Sequence, residues 1–285
     1  RFEVAYTRDK DIQRKRCKID SIARNSSDYY GKFLTVVLSP SDVQLIQGVP
    51  ELRRKFFDSI ISKYDKNYLI ALMDFKKCLF NRNRLLKNFR DKGKQAQQEL
   101  DVWDSIFAEK TSYIVKIRNE FIAMYNEQFQ KIYLDISHED DSPELKYRPM
   151  VKNAAKDEIE SELKRLRGKD IMFGTSTTGP QRDDYSLESD QILFKNYASQ
   201  GQKRTAAIAM KIAERDTIES IVKTKCVLLI DDIFSELDRE RQNSFIDILK
   251  DDNQLILTMV DSNSVLNSSL DAGKVYHINK SGMFL

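Results

Sequence analysis

Two histidines, three cysteines and nine glycines are all that the 285 residues supply of the types that commonly build metal centres, redox centres and phosphate loops. With His138 and His277 alone, a histidine-rich metal site is not expected. Cys17, Cys78 and Cys226 stand far apart with no metal-ligand spacing, which predicts buried or idle thiols in a reducing, cytosolic compartment. None of the glycines completes G-x-x-x-x-G-K followed by Ser or Thr. Gly93, Gly168 and Gly273 precede a lysine, but none has a glycine five positions earlier. That loop is the familiar amide cradle for nucleotide phosphates, so the sequence carries no cradle of this kind. No apolar run reaches the about 18 residues of a transmembrane helix, and no signal-peptide pattern opens the chain. Because it opens on Arg1 rather than Met, the expectation is a segment of a longer protein.

What is present is a chain 41% hydrophobic and 32% charged, enough to bury a sizeable core and stay soluble. A net charge of +3 is too small to name a partner; a nucleic-acid binder needs its cations gathered on one face. "FEVAY", "CKIDS" and "FLTVVLS" are short and partly β-branched, and read as strands. After Gly48-Val49-Pro50 the period changes. Leu52, Phe56, Ile60, Tyr64, Tyr68, Leu72 and Phe75 form one stripe of a long amphipathic helix. Gly93 is expected to interrupt a basic segment, with a second long helix carrying Val102, Ile106, Tyr113, Ile117, Phe121 and Met124. Residues 137–144 read as a polar loop and 151–166 as a third helix ended by Gly168, followed by a short strand in "DIMF", a loop and another strand. "YASQGQKRTAAIAMKIAERDTIESI" is a turn feeding a largely apolar helix. "VLLI" and "QLILTMV" are buried strands around a helix at 239–250, a βαβ unit. The expected architecture is an α/β lobe, a mixed sheet flanked by helices, with an inserted antiparallel helical arm. Residues 1–48 and 168–285 belong to the lobe and 49–167 to the arm.

The stretch "KCVLLIDDIFSELDRE" drives four apolar residues into two carboxylates. A strand without polar alternation is covered on both faces, and ligands of such sheets bind beyond the carboxyl ends of the strands. There Asp231 is suited to hold Mg²⁺ and Asp232 to orient or deprotonate an attacking water. Taken alone, an acidic turn after an ordinary strand explains the motif as well. "SQGQKR", from Ser199, places a small polar turn directly before a helix, whose unpaired N–H groups attract phosphate. Turn, helix, apolar strand with two aspartates, and Ser-Glu-Leu-Asp form an ordered set that is specific.

In this order the motifs resemble the RecF family within the SMC-like, ABC-type ATPases. "GPQRDD" at 179–184 is similar to the family's Gly-Pro-His-Arg-Asp-Asp with Gln181 in place of histidine. "SQGQKRT" resembles its signature, "LLIDDIFSELD" its Walker B strand and D-loop, and "LSPSDVQLIQGVPELRRKFFD" and "YRP" two further stretches. The resemblance implies ATP and Mg²⁺ as cofactors, with Asp231 on the metal and Asp232 on the water. It also implies that Ser199, Gln200, Gly201 and Gln202 meet the γ-phosphate held by a second subunit, that Asp238 faces that subunit, and that Thr258 stands where many relatives carry a switch histidine. In this family the P-loop lies N-terminal to every motif seen here. The implied function is recombinational DNA repair and replication: an ATP-dependent homodimer gripping double-stranded DNA near single-strand gap junctions, in the cytoplasm and without membrane, alongside RecR and RecO.

Arg82, Arg84, Lys87, Arg90, Lys92 and Lys94 face one acid, Asp91, and are candidate phosphate contacts on DNA; a solvated helix end is the competing reading. Arg182 is a candidate phosphate contact or an ion-pair partner of Asp183 or Asp184. Two other functions stay open from the residues: a non-catalytic DNA-binding or scaffold protein on a degenerate ATPase fold, and a different SMC-like ATPase.

Overall fold

The computed structural model describes residues 1–9, 12–140, 142–152, 154–250, 254–259, 274–279 and 282–284, with side chains described throughout except at 7–9, 12–15, 26, 90–96, 277–279 and 282–284. The chain opens with an antiparallel meander, β1 (Phe2–Asp9), β2 (Ile12–Ile19) and β3 (Ile22–Arg24). The short α1 (Ser26–Tyr29) leads to β4 (Thr35–Leu38), and α2 (Gln44–Gln47) leads to the arm. The arm is built from α3 (Pro50–Tyr64), α4 (Lys66–Lys87) and α5 (Phe89–Ser137), then β5 (Glu144–Arg148) and α6 (Lys156–Phe173). The chain returns through β6 (Asp184–Ser189), β7 (Ile192–Leu193), α7 (Phe194–Tyr197) and α8 (Gln200–Val222). It continues as β8 (Val227–Asp231), α9 (Arg239–Leu249) and β9 (Gln254–Thr258), and the described residues close on the hairpin β10 (His277–Asn279) and β11 (Gly282–Phe284).

The expected βαβ unit is present. The sheet order is β4-β8-β9, all parallel, with Leu38 opposite Ile230 and Ile230 opposite Leu257. Leu228 and Ile230 are fully buried, as an apolar central strand requires. Helix α8 packs on β4, α3 and α5, with Ala206, Ala209, Ile212 and Ala213 fully buried. A second, antiparallel sheet of order β5-β6-β7 lies where the arm returns to the lobe. One core joins lobe and arm: the ring of Phe57 stands 4.3 Å from that of Tyr185 and 5.4 Å from that of Tyr125. This is the α/β lobe with an inserted helical arm that the motifs imply.

Several elements differ from expectation for local reasons. The stripe from Phe56 to Phe75 lies on two helices, because Asp65 takes an extended conformation and its carboxylate caps α4 by accepting from the Tyr68 amide at 2.9 Å. Gly93 does not interrupt α5, which runs 49 residues and so spans about 70 Å at 1.5 Å per residue. Gly168 does not end α6 either. "DIMF" is the last turn of that helix rather than a strand, and Gly174, at φ 63°, is the residue that closes it. Strand β5 was not foreseen; the polar stretch contains a helix end, a loop and the start of that strand. All three cysteines are free and buried. Burial pushes the Cys78 thiol up to about 12 and the Cys226 thiol up to about 11, so both are inert at neutral pH.

Candidate nucleotide site at the strand ends

Strand β8 delivers Asp231 to the carboxyl end of the parallel sheet, in register with Thr258 of β9. The Thr258 hydroxyl donates to Asp231 Oδ1 at 2.5 Å, and both side chains are exposed. Asp232 then leaves the strand with φ 49°, in the left-handed region that few residues other than glycine, asparagine and aspartate accept. Its amide donates to the Thr258 carbonyl at 3.1 Å, and its own carbonyl accepts from Ser235 Oγ at 3.0 Å. The kink turns the chain out of the sheet immediately after Asp231. The structure therefore joins Asp231, Asp232 and Thr258 in one cluster, with the sensor candidate bonded to the metal-ligand candidate.

The residues fit a hard cation of one particular kind. Among the described residues no group of three or more His, Cys, Asp or Glu is placed to hold a metal. A single exposed carboxylate, with one oxygen steadied by a hydroxyl, suits Mg²⁺ that keeps its waters and takes its remaining ligands from nucleotide phosphates.

The turn before α8 is a capping box. Ser199 Oγ accepts from the Gln202 amide at 3.1 Å, and Gln202 Oε1 accepts from the Ser199 amide at 2.8 Å. Gln200 accepts from Gln47 Nε2 at 3.1 Å, and Gln202 donates to Glu139 Oε1 at 3.1 Å. Gly201 has no unusual backbone angle, and what stands over it is the mobile end of an arginine side chain. A Cβ at that position would stand 2.8 Å from Nη1 of Arg241. Asp238 is the N-cap of α9, accepting from the Arg241 amide at 2.9 Å, and is itself exposed. Arg204, in the first turn of α8, pairs at 2.5 Å with Glu236 in the helical turn that follows Asp232, which ties the two motifs together. Glu139, Arg241 and Gln47 escaped the sequence reading. Arg241 follows the Ser-Glu-Leu-Asp motif by three residues, which was the available signal; Glu139 sits in an acidic loop with no periodicity to mark it.

The basic segment is corrected at Arg82. That guanidinium is fully buried: Nε donates to Asp104 at 2.7 Å, Nη1 to Asp170 and to Ser176 Oγ, each at 2.7 Å, and the group lies over the Phe107 ring. It is a core cation, and in this structure its guanidinium is not presented to solvent. Arg84 and Lys87 are exposed, while the side chains of Arg90, Lys92 and Lys94 lie outside the described residues. Arg182 is exposed and pairs with neither neighbouring acid, because Asp183 pairs with Arg118 and Asp184 with Arg53.

The chain is 36% identical over 261 residues to a protein of Leptospira interrogans named DNA replication and repair protein RecF, covering 91% of this chain and 70% of that one. It is 32% identical over 282 residues to the protein of the same name from Lachnoclostridium phytofermentans, covering 98% and 77%. Among solved structures it is similar to the recombination mediator protein RecF of the RecFOR pathway. The likeness to the form with ATPrS has a TM-score of 0.78 at 30% identity, covering 91% of this chain and 71% of that one. The form with ATP has a TM-score of 0.78 at 31% identity, covering 88% and 68%. No family model matches.

Proposed function

The chain belongs to the RecF family of DNA replication and repair proteins, and on that premise we propose that it forms the signature and Walker B part of an ATP-driven DNA clamp. The observation that carries the proposal is the register of β8 with β9, which sets Asp231 against Thr258 and kinks the chain at Asp232 beyond the strand ends. Solved RecF relatives contain ATP or ATPrS, and the same ligand class suits this strand end. Asp231 would contribute one carboxylate to Mg²⁺, which supplies charge neutralisation on the phosphates when bound. Asp232 would orient the attacking water and accept its proton. Ser199, Gln200, Gly201 and Gln202 would meet the γ-phosphate held by a second copy, with Asp238 at the same interface. Catalysis of this kind is chiefly positioning and charge stabilisation. Loss of the γ-phosphate would remove what joins the two copies and open the clamp. These 285 residues hold no G-x-x-x-x-G-K-[ST] loop, so nucleotide binding on this reading would need a phosphate cradle from other residues. Double-stranded DNA near gap junctions is the proposed substrate, RecR and RecO the proposed partners and the cytoplasm the proposed compartment.

The test uses the chain joined to a P-loop segment, native or taken from a RecF relative. Asp232→Asn should retain ATP and the ATP-dependent dimer while single-turnover hydrolysis falls about 10²–10⁴-fold. Asp231→Asn should weaken Mg²⁺-dependent nucleotide binding as well as turnover. Hydrolysis at the wild-type rate in Asp232→Asn rejects its role. If that variant also fails to dimerise with ATP, the carboxylate shapes the site rather than acting on the water.

A further inference from the structure

The far end of the long arm helix α5 stops against the turn that opens α8. His138 closes α5 in the left-handed conformation, φ 56°, and its Nε2 lies 2.6 Å from Ser244 Oγ on α9. The next residue, Glu139, meets three elements at once. Its Oε2 accepts from the Tyr133 hydroxyl at 2.8 Å, one turn back on α5. Its Oε1 accepts from Gln202 Nε2 at 3.1 Å and lies 3.8 Å from the guanidinium of Arg241. The other acid beside that guanidinium, Asp238, is 3.7 Å away. Neither acid is within hydrogen-bond distance, so among the described residues these two carboxylates hold Arg241 by charge, with Nη1 beside Gly201 at the first turn of α8. A cation at a helix N-terminus is electrostatically disfavoured, and here the two carboxylates offset that cost.

We propose that Glu139 is the positioning residue of this turn: it holds the Gln202 amide and draws Arg241 over Gly201, so that one carboxylate ties the arm to the residues that meet the γ-phosphate. The inference rests on the reading of Ser199–Gln202 given above. An arriving phosphate offers Arg241 the close, bidentate acceptor that neither acid provides. The guanidinium then turns from Glu139 to the phosphate, and Glu139 keeps Gln202 and Tyr133. Movement at the end of α5 shifts Gln202 by the same linkage. Coupling between binding sites is reciprocal, so a ligand on the arm changes nucleotide-dependent dimerisation to the extent that dimerisation changes affinity on the arm.

The test again uses the chain joined to a P-loop segment, with Glu139→Ala, Glu139→Gln, Tyr133→Phe and, as a control on the turn itself, Gly201→Glu. Three quantities are measured: affinity of the monomer for a fluorescent ATP analogue, the dissociation constant of the ATPrS-dependent dimer by sedimentation, and the factor by which duplex DNA changes turnover. Glu139→Ala should leave monomer affinity within about twofold, weaken the dimer about tenfold and remove the response to DNA. Glu139→Gln keeps an acceptor for Gln202 and should recover most of the dimerisation. Tyr133→Phe should move the dimer in the same direction by a smaller factor. A purely structural role would instead lower thermal stability and depress all three quantities together. A wild-type dimer and a wild-type DNA response in Glu139→Ala overturn the inference, as they do in Tyr133→Phe should the alanine variant not fold. If Gly201→Glu abolishes the dimer while the Glu139 variants match wild type, only the role of Glu139 falls. If Gly201→Glu also dimerises normally, the reading of the turn falls with it.

Discussion

Two Asp-Asp pairs, at 183–184 and 231–232, occupy opposite regimes of the same molecule. Asp183 is fully buried and receives Arg118 Nη1 and the Met150 amide, each at 2.8 Å, together with the Tyr147 hydroxyl. Burial pushes its carboxyl above the usual range, and Arg118 pulls it back. Asp184 takes a two-pronged pair from Arg53, at 2.8 and 3.0 Å. Arg118 also reaches Asp58 on α3 and the Pro180 carbonyl, which binds α3, α5 and the 180–183 turn into one unit. Among the described residues no arginine converges on Asp231 or Asp232; the Thr258 hydroxyl donates to the Asp231 carboxylate, and Asp232 is held through its backbone by the Thr258 carbonyl and the Ser235 hydroxyl. The dipeptide does not decide its own use. Where guanidinium groups arrive from other elements, the carboxylates hold the arm to the lobe. Where only a hydroxyl arrives, an oxygen is left exposed, as the proposed role on Mg²⁺ requires.

The largest effect should therefore come from the first pair. Arg118→Met strands Asp58 and Asp183 in a buried setting, and breaking such a pair from one side costs about 3–5 kcal/mol. Urea unfolding of the 285-residue chain would read it. Asp231→Asn and Asp232→Asn, measured the same way, should stay within about 0.5 kcal/mol of wild type. Equal losses at the two pairs would erase the distinction and make the strand-end aspartates structural.

A smaller effect sharpens the second half of the comparison. Thr258→Val removes the hydroxyl that steadies Asp231. Outer groups that orient a metal ligand are worth about 10- to 100-fold in metal affinity. Titration of Mg²⁺ with ATP, on the chain joined to a P-loop segment, should show a loss of that order with little change in stability. No change in Mg²⁺ affinity would leave Asp231 oriented by the strand alone.

Much of this was legible in the sequence, because it depends on short-range patterns. The apolar run into Asp231, the capping turn at Ser199 and the βαβ spacing are local, and all three elements formed where expected. Beside strand β5 and the residues around Arg241, three further features were not legible. Gly93 and Gly168 read as breaks, yet a glycine inside a helix costs only about 1 kcal/mol, and α5 and α6 continue through them. The stripe that divides at Asp65 has one unbroken period, so its turn appears only through the cap. Arg82 was read with its sequence neighbours as part of a basic face. Its partners, Asp104 and Asp170, stand 22 and 88 positions away. A charge run reports composition, and burial is decided by elements the run does not contain.

That last point can be tested within the run itself. Arg82 and its neighbours Arg84 and Lys87 share one helix turn or two, and the comparison between paired and available charge recurs there on a smaller scale. Arg84 and Lys87 are exposed and are the described members of the segment that remain candidates for DNA phosphates. Each phosphate contact that is lost should flatten the dependence of log affinity on log salt by about 0.9. Arg84→Ala with Lys87→Ala should therefore reduce the slope by at most about 1.8, weaken duplex binding similarly for unrelated sequences, and leave unfolding within about 0.5 kcal/mol of wild type. Arg82→Ala should do the reverse, destabilising the arm by an amount comparable to Arg118→Met and leaving the salt slope of whatever protein stays folded unchanged. An unchanged slope in the double variant assigns Arg84 and Lys87 to a solvated helix face. A slope that falls only when Arg82 is removed would mean that the arm opens on DNA and releases the buried guanidinium, and the division between structural and available charge would then hold for the free protein alone.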